Sequence, residues 1–287
     1  MKRKILFPVS IFLLLISVSC LGQELTDPKE ILSEAKDKMM ALDSYSYYLK
    51  SEGWDFDLGK TAEKTKSLTG EASKNSLASR FTGDVEEVDA SEPKWMVYEG
   101  LFKFMKPYFL QMHLEKNDYV PSILQGAVMT YRPDKKKGKY WTLKPRISPI
   151  GIKRGTETVS GSFFYSTWHL NFMKIEGLLK AKDPVLEGVE DFDGHKCYRV
   201  TFEFTGDETG AAAAGEYEKW GIPEQVQWKF NEELDEFTRG NHGKISYLFD
   251  VDELLLRKLD VKQKNGEQYY VKTWTDVKTN DLTKKDF

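Results

Sequence analysis

Two alternating segments on either side of a Lys-Pro step constrain the fold of this chain most strongly. They read KWMVYEGLFKFMK at 94–106 and YFLQMHLEK at 108–116. In both, large apolar residues occupy alternate positions, which is typical of a strand with one buried face. A third run, AVMTYRP at 127–133, repeats the pattern, and the intervening prolines fall between the runs, where proline is tolerated. The sequence therefore predicts consecutive strands here.

Further strands are predicted on both sides of this block. SYSYYLKSEGW at 44–54 precedes it, and YWTL at 140–143 follows a basic turn, KKKGK. Gly194 opens another alternating run, HKCYRVTFEF. The C-terminal region reads as a meander, in which Asn265-Gly266 between two alternating runs is the strongest hairpin signal of the chain.

Three amphipathic helices are predicted beside the strands. The first begins after the N-cap residue Asp27, with Pro28 in its first turn and apolar residues at helical spacing. The second, TWHLNFMKIEGLLKAKDP, ends at Asp183-Pro184. The third covers 223–238, although its VQWKF segment would also fit a strand.

The order of these elements predicts the fold class. It lacks the strand–helix–strand alternation that would indicate a parallel sheet. We expect an α+β fold, with a curved antiparallel sheet that forms an incomplete β-barrel. Two or three helices would pack on its concave side as a lid, because only that face offers them an apolar surface.

The N-terminus is typical of an export signal. Lys2, Arg3 and Lys4 precede an apolar stretch at 5–18, which is too short to span a bilayer, for which about 20 residues are needed. Cleavage before Cys20 would make 1–19 a lipoprotein signal and Cys20 a lipid anchor. The alternative is cleavage after Gly22, which removes 1–22. Either way, 23–287 is predicted to form a single domain in the bacterial envelope, in the periplasm or on the outer membrane, with secretion as the alternative.

Charge and cysteine content exclude several classes of function. Without 1–22 the chain has 39 basic and 45 acidic residues, a formal net charge of −6, and a nucleic-acid partner is therefore not expected. Cys197 is the one cysteine of the predicted mature domain, which rules out a disulfide framework.

No catalytic or metal-binding motif is recognisable. The four histidines have no metal-ligand spacing, and Ser162 lies outside any nucleophile-elbow motif. His169 lies on the second predicted helix and could approach Cys197, but a surface or core histidine with a satisfied hydrogen bond is the favoured interpretation. The basic turn at 135–139 is interpreted as a solubilising loop, with contact to anionic lipid headgroups as the alternative. We expect no enzyme, no metal and no cofactor.

Three stretches resemble the outer-membrane lipoprotein carrier superfamily, the LolA/LolB-like half-barrels. GLFKFMKPYFLQM followed by GAVMTYRP resembles the paired strands of that superfamily, and FDVDELLLRKLDVKQKNGEQYYVKTWTDVKTND is similar to its ending. With SPIGIKRGT before the second helix, the layout is most similar to an uncharacterised envelope branch. The resemblance covers 27–287 and implies helices over an apolar cavity, which in the carriers holds the acyl chains of a lipoprotein in transit.

The Phe- and Met-rich strand faces have two interpretations, an ordinary core or the lining of a cavity. The resemblance favours the cavity, and with it an envelope protein that binds a lipid or an acylated protein as a monomer. The alternatives are a structural or partner-binding envelope module with a filled core and, less favoured, a hydrolase. The predicted cavity residues are Met96, Tyr98, Phe102, Phe104, Leu110, Met112, Leu114, Met129, Tyr131 and Trp141, and the predicted lid residues are Trp168, Phe172, Ile175 and Leu179.

Overall fold

The fold was analysed in a computed structural model of the chain. The structure describes residues 25–55, 94–118, 125–135, 141–144, 167–205, 217, 219–222, 224, 227 and 242–287. Several predictions fall outside these residues: the signal and Cys20, most of the third helix at 223–238, and all of the basic turn except Lys135.

The described strands form one sheet of ten strands, in which all neighbours are antiparallel. In chain order they are β1 (Ser44–Asp55), β2 (Lys94–Met105), β3 (Phe109–Asn117), β4 (Val128–Tyr131), β5 (Trp141–Lys144), β6 (Val185–Phe192), β7 (His195–Glu203), β8 (His242–Asp250), β9 (Leu256–Gln263) and β10 (Gln268–Thr279). Their order across the sheet is β5-β4-β3-β2-β1-β10-β9-β8-β7-β6. The sheet is therefore open, with β5 and β6 at its edges, which confirms the predicted antiparallel half-barrel.

Two predicted turns are observed where the sequence places them. The Lys106-Pro107 step, a cis peptide, connects β2 to β3, which pair with each other directly. Asn265-Gly266 connects β9 to β10, and Gly266 adopts a φ of 85°, which a residue without a Cβ adopts readily. The side chain of Asn265 accepts a hydrogen bond from the backbone N–H of Glu267. Both hairpins therefore follow from local turn chemistry.

Two α-helices lie on the inner face of the sheet, as predicted. Helix α1 spans Pro28–Ala41, and its N-cap Asp27 accepts a hydrogen bond from the backbone N–H of Lys29. Helix α2 spans Trp168–Ala181 and is capped by Thr167, whose side chain accepts from the backbone N–H of Leu170. The buried apolar side chains of both helices belong to the same core cluster as the inner face of the sheet.

Strand β6 was not predicted from the sequence. It reads VLEGVEDF, and its apolar residues Val185 and Val189 are exposed rather than buried. Among the described strands β6 pairs with β7 alone, at an edge, and none of its residues is fully buried, although Leu186 packs partly against the core. The segment therefore lacks the hydrophobic signal by which the other strands were recognised.

Candidate functional site

Seven of the ten predicted cavity residues lie in two continuous rows across the sheet, together with Tyr45 and Tyr47. One row runs Tyr47–Phe102–Met112–Met129 across β1, β2, β3 and β4. The next runs Tyr45–Phe104–Leu110–Tyr131–Trp141 and reaches β5. We call these two rows the floor. The register follows from the period of two, which places alternate side chains of each strand on the same face.

The floor is covered. Of the predicted cavity residues, all but Trp141, whose side chain lies outside the described residues, have exposures between 0% and 5%. Eight of them belong to the continuous core cluster, whereas Met96 is equally buried but lies outside it. A void wide enough for an acyl chain would leave part of these side chains accessible from within. The floor side chains therefore contact other protein atoms in this structure.

The first turn of α2 covers the floor with aromatic rings. The indole of Trp168 stacks on Tyr45 and lies against Tyr47, with ring centroids 4.6 and 5.3 Å apart. Further along the helix, Phe172 contacts Phe249 of β8 at 6.0 Å. Ten of the fourteen residues of α2 are buried, including the predicted lid residue Ile175, and Leu179 is partly buried against the core. Helix α2 thus has the position predicted for a lid.

Ion pairs connect the outer sides of the two helices. Lys36 of α1 pairs with Glu176 of α2 at 3.3 Å, and Lys29 pairs with Asp183 just beyond α2. In the latter pair the fully exposed carboxylate raises the pKa of Lys29, while Lys29 lowers that of Asp183. The exposed Lys29–Asp183 pair contributes little, so α2 is held by its apolar interface and by the partly buried Lys36–Glu176 pair.

A ring of aromatic side chains surrounds His169, the second residue of α2. We call the set Tyr45, Phe104, Tyr108, His169 and Trp220 the His169 box. The imidazole lies 4.7 Å from the ring of Phe104, 6.0 Å from Tyr108 and 6.3 Å from Trp220. Its Nδ1 is hydrogen-bonded to the Tyr45 hydroxyl at 3.3 Å. His169 is therefore a buried core histidine, as the favoured interpretation held, and Cys197 is not among these neighbours.

The Tyr45 hydroxyl is hydrogen-bonded to two neighbouring residues of α2. Burial raises the pKa of Tyr45 well above its usual value, against a smaller lowering by a hydrogen bond to the backbone of Trp168. Such a bond lowers the pKa only when the backbone N–H donates to the hydroxyl oxygen. The hydroxyl oxygen of Tyr45 accepts from that N–H, and its hydrogen bond with Nδ1 of His169 has a direction that depends on the tautomer of the imidazole.

His169 is neutral because it is buried. Burial, with the positive charge of Lys106 as a smaller cause, lowers the pKa of His169 to about 3. Lys106 lies in the β2–β3 turn, where its Nζ donates to the carbonyl of Met40 at 2.9 Å and lies 3.7 Å from Asp43. The box thus contains an uncharged imidazole with an N–H donor.

Several residues of this site were not predicted. Tyr45 and Tyr47 lie on β1, whose SYSYY segment also has a tyrosine, Tyr48, on the opposite face. The segment therefore does not show large side chains confined to one buried face. Tyr108 follows the Pro107 break. The part played by His169 depends on Tyr45, which is 124 residues away in sequence. Only the pairing of β1 with β2 could have indicated that these side chains meet.

A second polar cluster lies at the turn between β8 and β9. Asp250 is buried, contacts His195 Nδ1 at 2.7 Å and Arg257 at 3.4 Å, and accepts from the backbone N–H groups of Asp252 and Glu253. Burial, with a smaller contribution from Asp250, raises the pKa of the nearby Cys197 thiol to about 12, which makes it a poor nucleophile. Within the described part of the chain, no three His, Cys, Asp or Glu side chains are grouped so as to hold a metal ion.

Comparisons with known proteins give structural matches alone. No known family profile matches the sequence, and no curated protein matches it. Among solved structures, the lipoprotein LppX of Mycobacterium tuberculosis matches with a TM-score of 0.40, 14% identity, and coverage of 89% of this chain and 97% of that one. LprF of Mycobacterium bovis matches with a TM-score of 0.35, 9% identity, and coverage of 89% and 94%.

A third match is a LolA superfamily protein. This protein, NE2245 of Nitrosomonas europaea, matches with a TM-score of 0.26, 11% identity, and coverage of 92% of this chain and 98% of that one. With TM-scores below 0.5, these similarities transfer no ligand or activity, and function must be inferred from the residues of this chain.

Proposed function

We propose that this chain is a non-enzymatic envelope protein that binds a lipid or the acyl chain of a protein between helix α2 and the floor. The observation that supports this most directly is how α2 covers the floor. Among the described residues, no backbone hydrogen bond joins α2 to the backbone of the sheet. The helix is held on the floor by side-chain packing and by hydrogen bonds to the Tyr45 hydroxyl, so it separates without breaking the strand ladder.

Displacing α2 costs mainly apolar contact, and an acyl chain restores contact of the same kind. Burial contributes roughly 25 cal/mol per Å² on either surface, so exchanging a helix face for a hydrocarbon chain is close to balanced. The methionines on the floor, Met112 and Met129, are unbranched and adapt to either partner. The covered floor is therefore the closed state of the proposed binding site.

The proposed location is the bacterial envelope, where such ligands occur. The export signal predicted at 1–22 supports it, and Cys20 would add a lipid anchor if cleavage occurs before it. Neither α1 nor α2, the two α-helices described, is both long and apolar enough to cross a bilayer.

Uptake of parinaric acid, an acyl chain whose fluorescence increases in apolar surroundings, tests this proposal. The wild-type protein is expected to bind the probe with submillimolar affinity, and Phe104→Glu is expected to abolish uptake by placing a charge on the floor. Val189→Glu, on an exposed edge position, is the matched control and should bind as the wild type does. The proposal is contradicted if the folded wild-type protein does not increase the fluorescence of the probe.

A second candidate function is a partner-binding envelope module with a filled interior. The covered floor and the exposed Val185 (56%) and Val189 (43%) on edge strand β6 favour it. An exposed edge offers unpaired backbone groups to a further strand. If this second function is correct, the double variant Val185→Lys/Val189→Lys no longer binds an envelope partner that cross-linking recovers with the wild type. The wild type itself then shows only background probe uptake, and folded Phe104→Glu shows the same.

A further inference from the structure

Basic side chains gather on the outer face of the sheet, opposite the floor. Lys103 lies between the buried Phe102 and Phe104 of β2, so its side chain is on the face away from the core. The register of six neighbouring strands gives one outer-face row: Lys278–Ser46–Lys103–Gln111–Thr130–Thr142. The row contains two lysines and no carboxylate, so its charge is positive.

The C-terminal segment packs beside this row. Its 3-10 helix, Lys284–Asp286, lies next to Lys103, whose Nζ donates to the carbonyl oxygen of Asp286 at 3.5 Å. The following residue, Phe287, is half-buried and contacts the ring of Phe109 on β3 at 5.8 Å. These contacts bring the exposed Lys284 and Lys285 to the same surface.

The chain after β4 supplies two more cations. The guanidinium of Arg132 and the Nζ of Lys284 both lie over the Phe109 ring, 5.8 and 5.7 Å from its centroid. A hydrogen bond from Arg132 is the largest cause of the lowered pKa of Asp134. The charges of Lys135 and Lys284 lower that pKa further, so both lysines lie near the same carboxylate. We call the resulting set the outer basic patch: Lys103, Arg132, Lys135, Lys278, Lys284 and Lys285.

Two of the three carboxylates in these segments are held by neighbours. Asp134 accepts two hydrogen bonds from Arg132, at 3.2 and 3.0 Å. Asp286 accepts from the backbone N–H and the hydroxyl of Thr283, at 2.7 and 2.9 Å. Asp281 is the third and is exposed. The six cations of the patch thus outnumber the carboxylates, although the predicted mature chain is acidic as a whole.

The layout of the patch favours a lipid surface as its partner. Lys278 lies on β10 and Arg132 follows β4, four strands away, so the cations span roughly 20 Å. A spread of this kind matches a plane of anionic headgroups better than a single phosphate group. The half-buried ring of Phe287 suits the boundary between headgroups and acyl chains.

We propose that the outer basic patch docks the protein on the surface of an anionic phospholipid bilayer. The patch lies on the opposite face of the sheet from the floor, so docking does not cover helix α2. This inference goes beyond the proposed function, because it holds whether or not the floor accepts an acyl chain.

Sedimentation with vesicles tests the inference. The protein is purified with Cys20→Ser, so that no lipid anchor contributes, and is mixed with vesicles of phosphatidylcholine or of equal parts phosphatidylcholine and phosphatidylglycerol. We expect binding to the mixed vesicles only. Binding should be lost at about 1 M salt, where the Debye length is about 3 Å.

Substitutions within the patch should weaken this binding. Lys284→Gln with Lys285→Gln should weaken it about 30-fold, the combined effect of two lysines near such a surface. Lys284→Arg with Lys285→Arg should bind as the wild type does. Lys278→Gln lies outside the C-terminal segment and should weaken binding about five-fold without disturbing that segment.

Lys116→Gln with Lys264→Gln is the matched control. Both lysines are exposed, but Lys116 lies at the far end of β3, and Lys264 lies in the turn that precedes β10. This variant changes the net charge as much as Lys284→Gln with Lys285→Gln does. It should bind the mixed vesicles as the wild type does.

Three results would overturn the inference. The first is an equal loss of binding in the control and in folded Lys284→Gln/Lys285→Gln, because net charge rather than the patch would then be responsible. The second is unchanged binding in both Lys284→Gln/Lys285→Gln and Lys278→Gln. The third is a wild type that sediments with neither vesicle, in which case the lysines fit an acidic protein surface instead. None of these results bears on acyl-probe uptake, so each leaves the proposed function in place.

Discussion

The indole of Trp168 at the start of helix α2 stacks on the phenol ring of Tyr45 on strand β1, with centroids 4.6 Å apart and ring planes inclined by 28°. The contact joins residues 123 positions apart and connects the covering helix to the floor beneath it. Whether it holds the site closed can be tested by truncation.

Trp168→Ala should weaken the closed state. Loss of a large buried aromatic side chain is expected to lower the free energy of unfolding by about 3–5 kcal/mol. If α2 is a lid, the variant should also take up an acyl probe faster, because the open state is more populated. Urea unfolding measures the first effect and stopped-flow fluorescence the second.

Phe109→Ala is the control for that prediction. Phe109 is equally buried but lies outside the core cluster, where it contacts Phe287 at 5.8 Å. Its truncation should destabilise the protein without accelerating uptake. Equal acceleration in both variants would indicate general loosening of the fold and contradict a lid formed by α2.

His169 should make stability depend on pH. Its pKa is about 3 in the folded protein, because of burial and of Lys106, and about 6.5 when unfolded. The unfolded chain therefore binds the proton first, and the stability present above pH 6.5 is lost as the pH falls toward 3. At pH 5 the loss from this group should be about 2 kcal/mol. Urea unfolding at pH 7 and at pH 5 gives this loss in the free energy of unfolding for the wild type and for His169→Gln, and the loss should be smaller in the variant. Equal losses in both proteins would show that another group is responsible.

Asp250→Asn should destabilise the turn between β8 and β9. Asp250 and Arg257 are 2% and 4% exposed, so the substitution removes the buried carboxylate of the pair and leaves the guanidinium with Glu253, an exposed side chain 3.2 Å away. Breaking such a pair costs about 3–5 kcal/mol. Asp134→Asn is the control, since its pair with Arg132 is exposed and should contribute less than about 1 kcal/mol. In the double variant Asp250→Met/Arg257→Met both charges are removed. If this variant is no more stable than Asp250→Asn, the charge of Arg257 does not cause the destabilisation of Asp250→Asn.

Gly100→Ala should disrupt the register between β2 and β3. A Cβ at Gly100 would lie 2.2 Å from the carbonyl oxygen of His113, where the register of the pair shifts. Because that neighbour is backbone, relief requires the strands to move, and we expect a loss of about 2 kcal/mol or more. Gly266→Ala is the comparison: there a Cβ meets nothing within 4 Å, so the loss reflects only its positive φ and should be about 1 kcal/mol. A Gly100→Ala loss no larger than that of Gly266→Ala would contradict the close approach.

The elements that could be predicted are those with a local signal. Helix α2 was predicted from the spacing of Trp168, Phe172 and Ile175, and the β9–β10 hairpin from Asn265-Gly266. Strand β6 was missed because its valines are exposed at an edge. Tyr45, Tyr108 and His169 could not be brought together, because their contact depends on strand pairing and on where α2 lies. That the floor is covered depends on the same tertiary packing.

Native mass spectrometry of the protein as purified from an envelope fraction tests the central claim most directly. We expect a population with one bound species of lipid mass, released on collisional activation, in wild type and in Val189→Glu. It should be absent from Phe104→Glu that is folded by circular dichroism. A wild-type protein that is empty as purified, and still empty after incubation with phosphatidylglycerol, would contradict the claim that the space between α2 and the floor accepts an acyl chain.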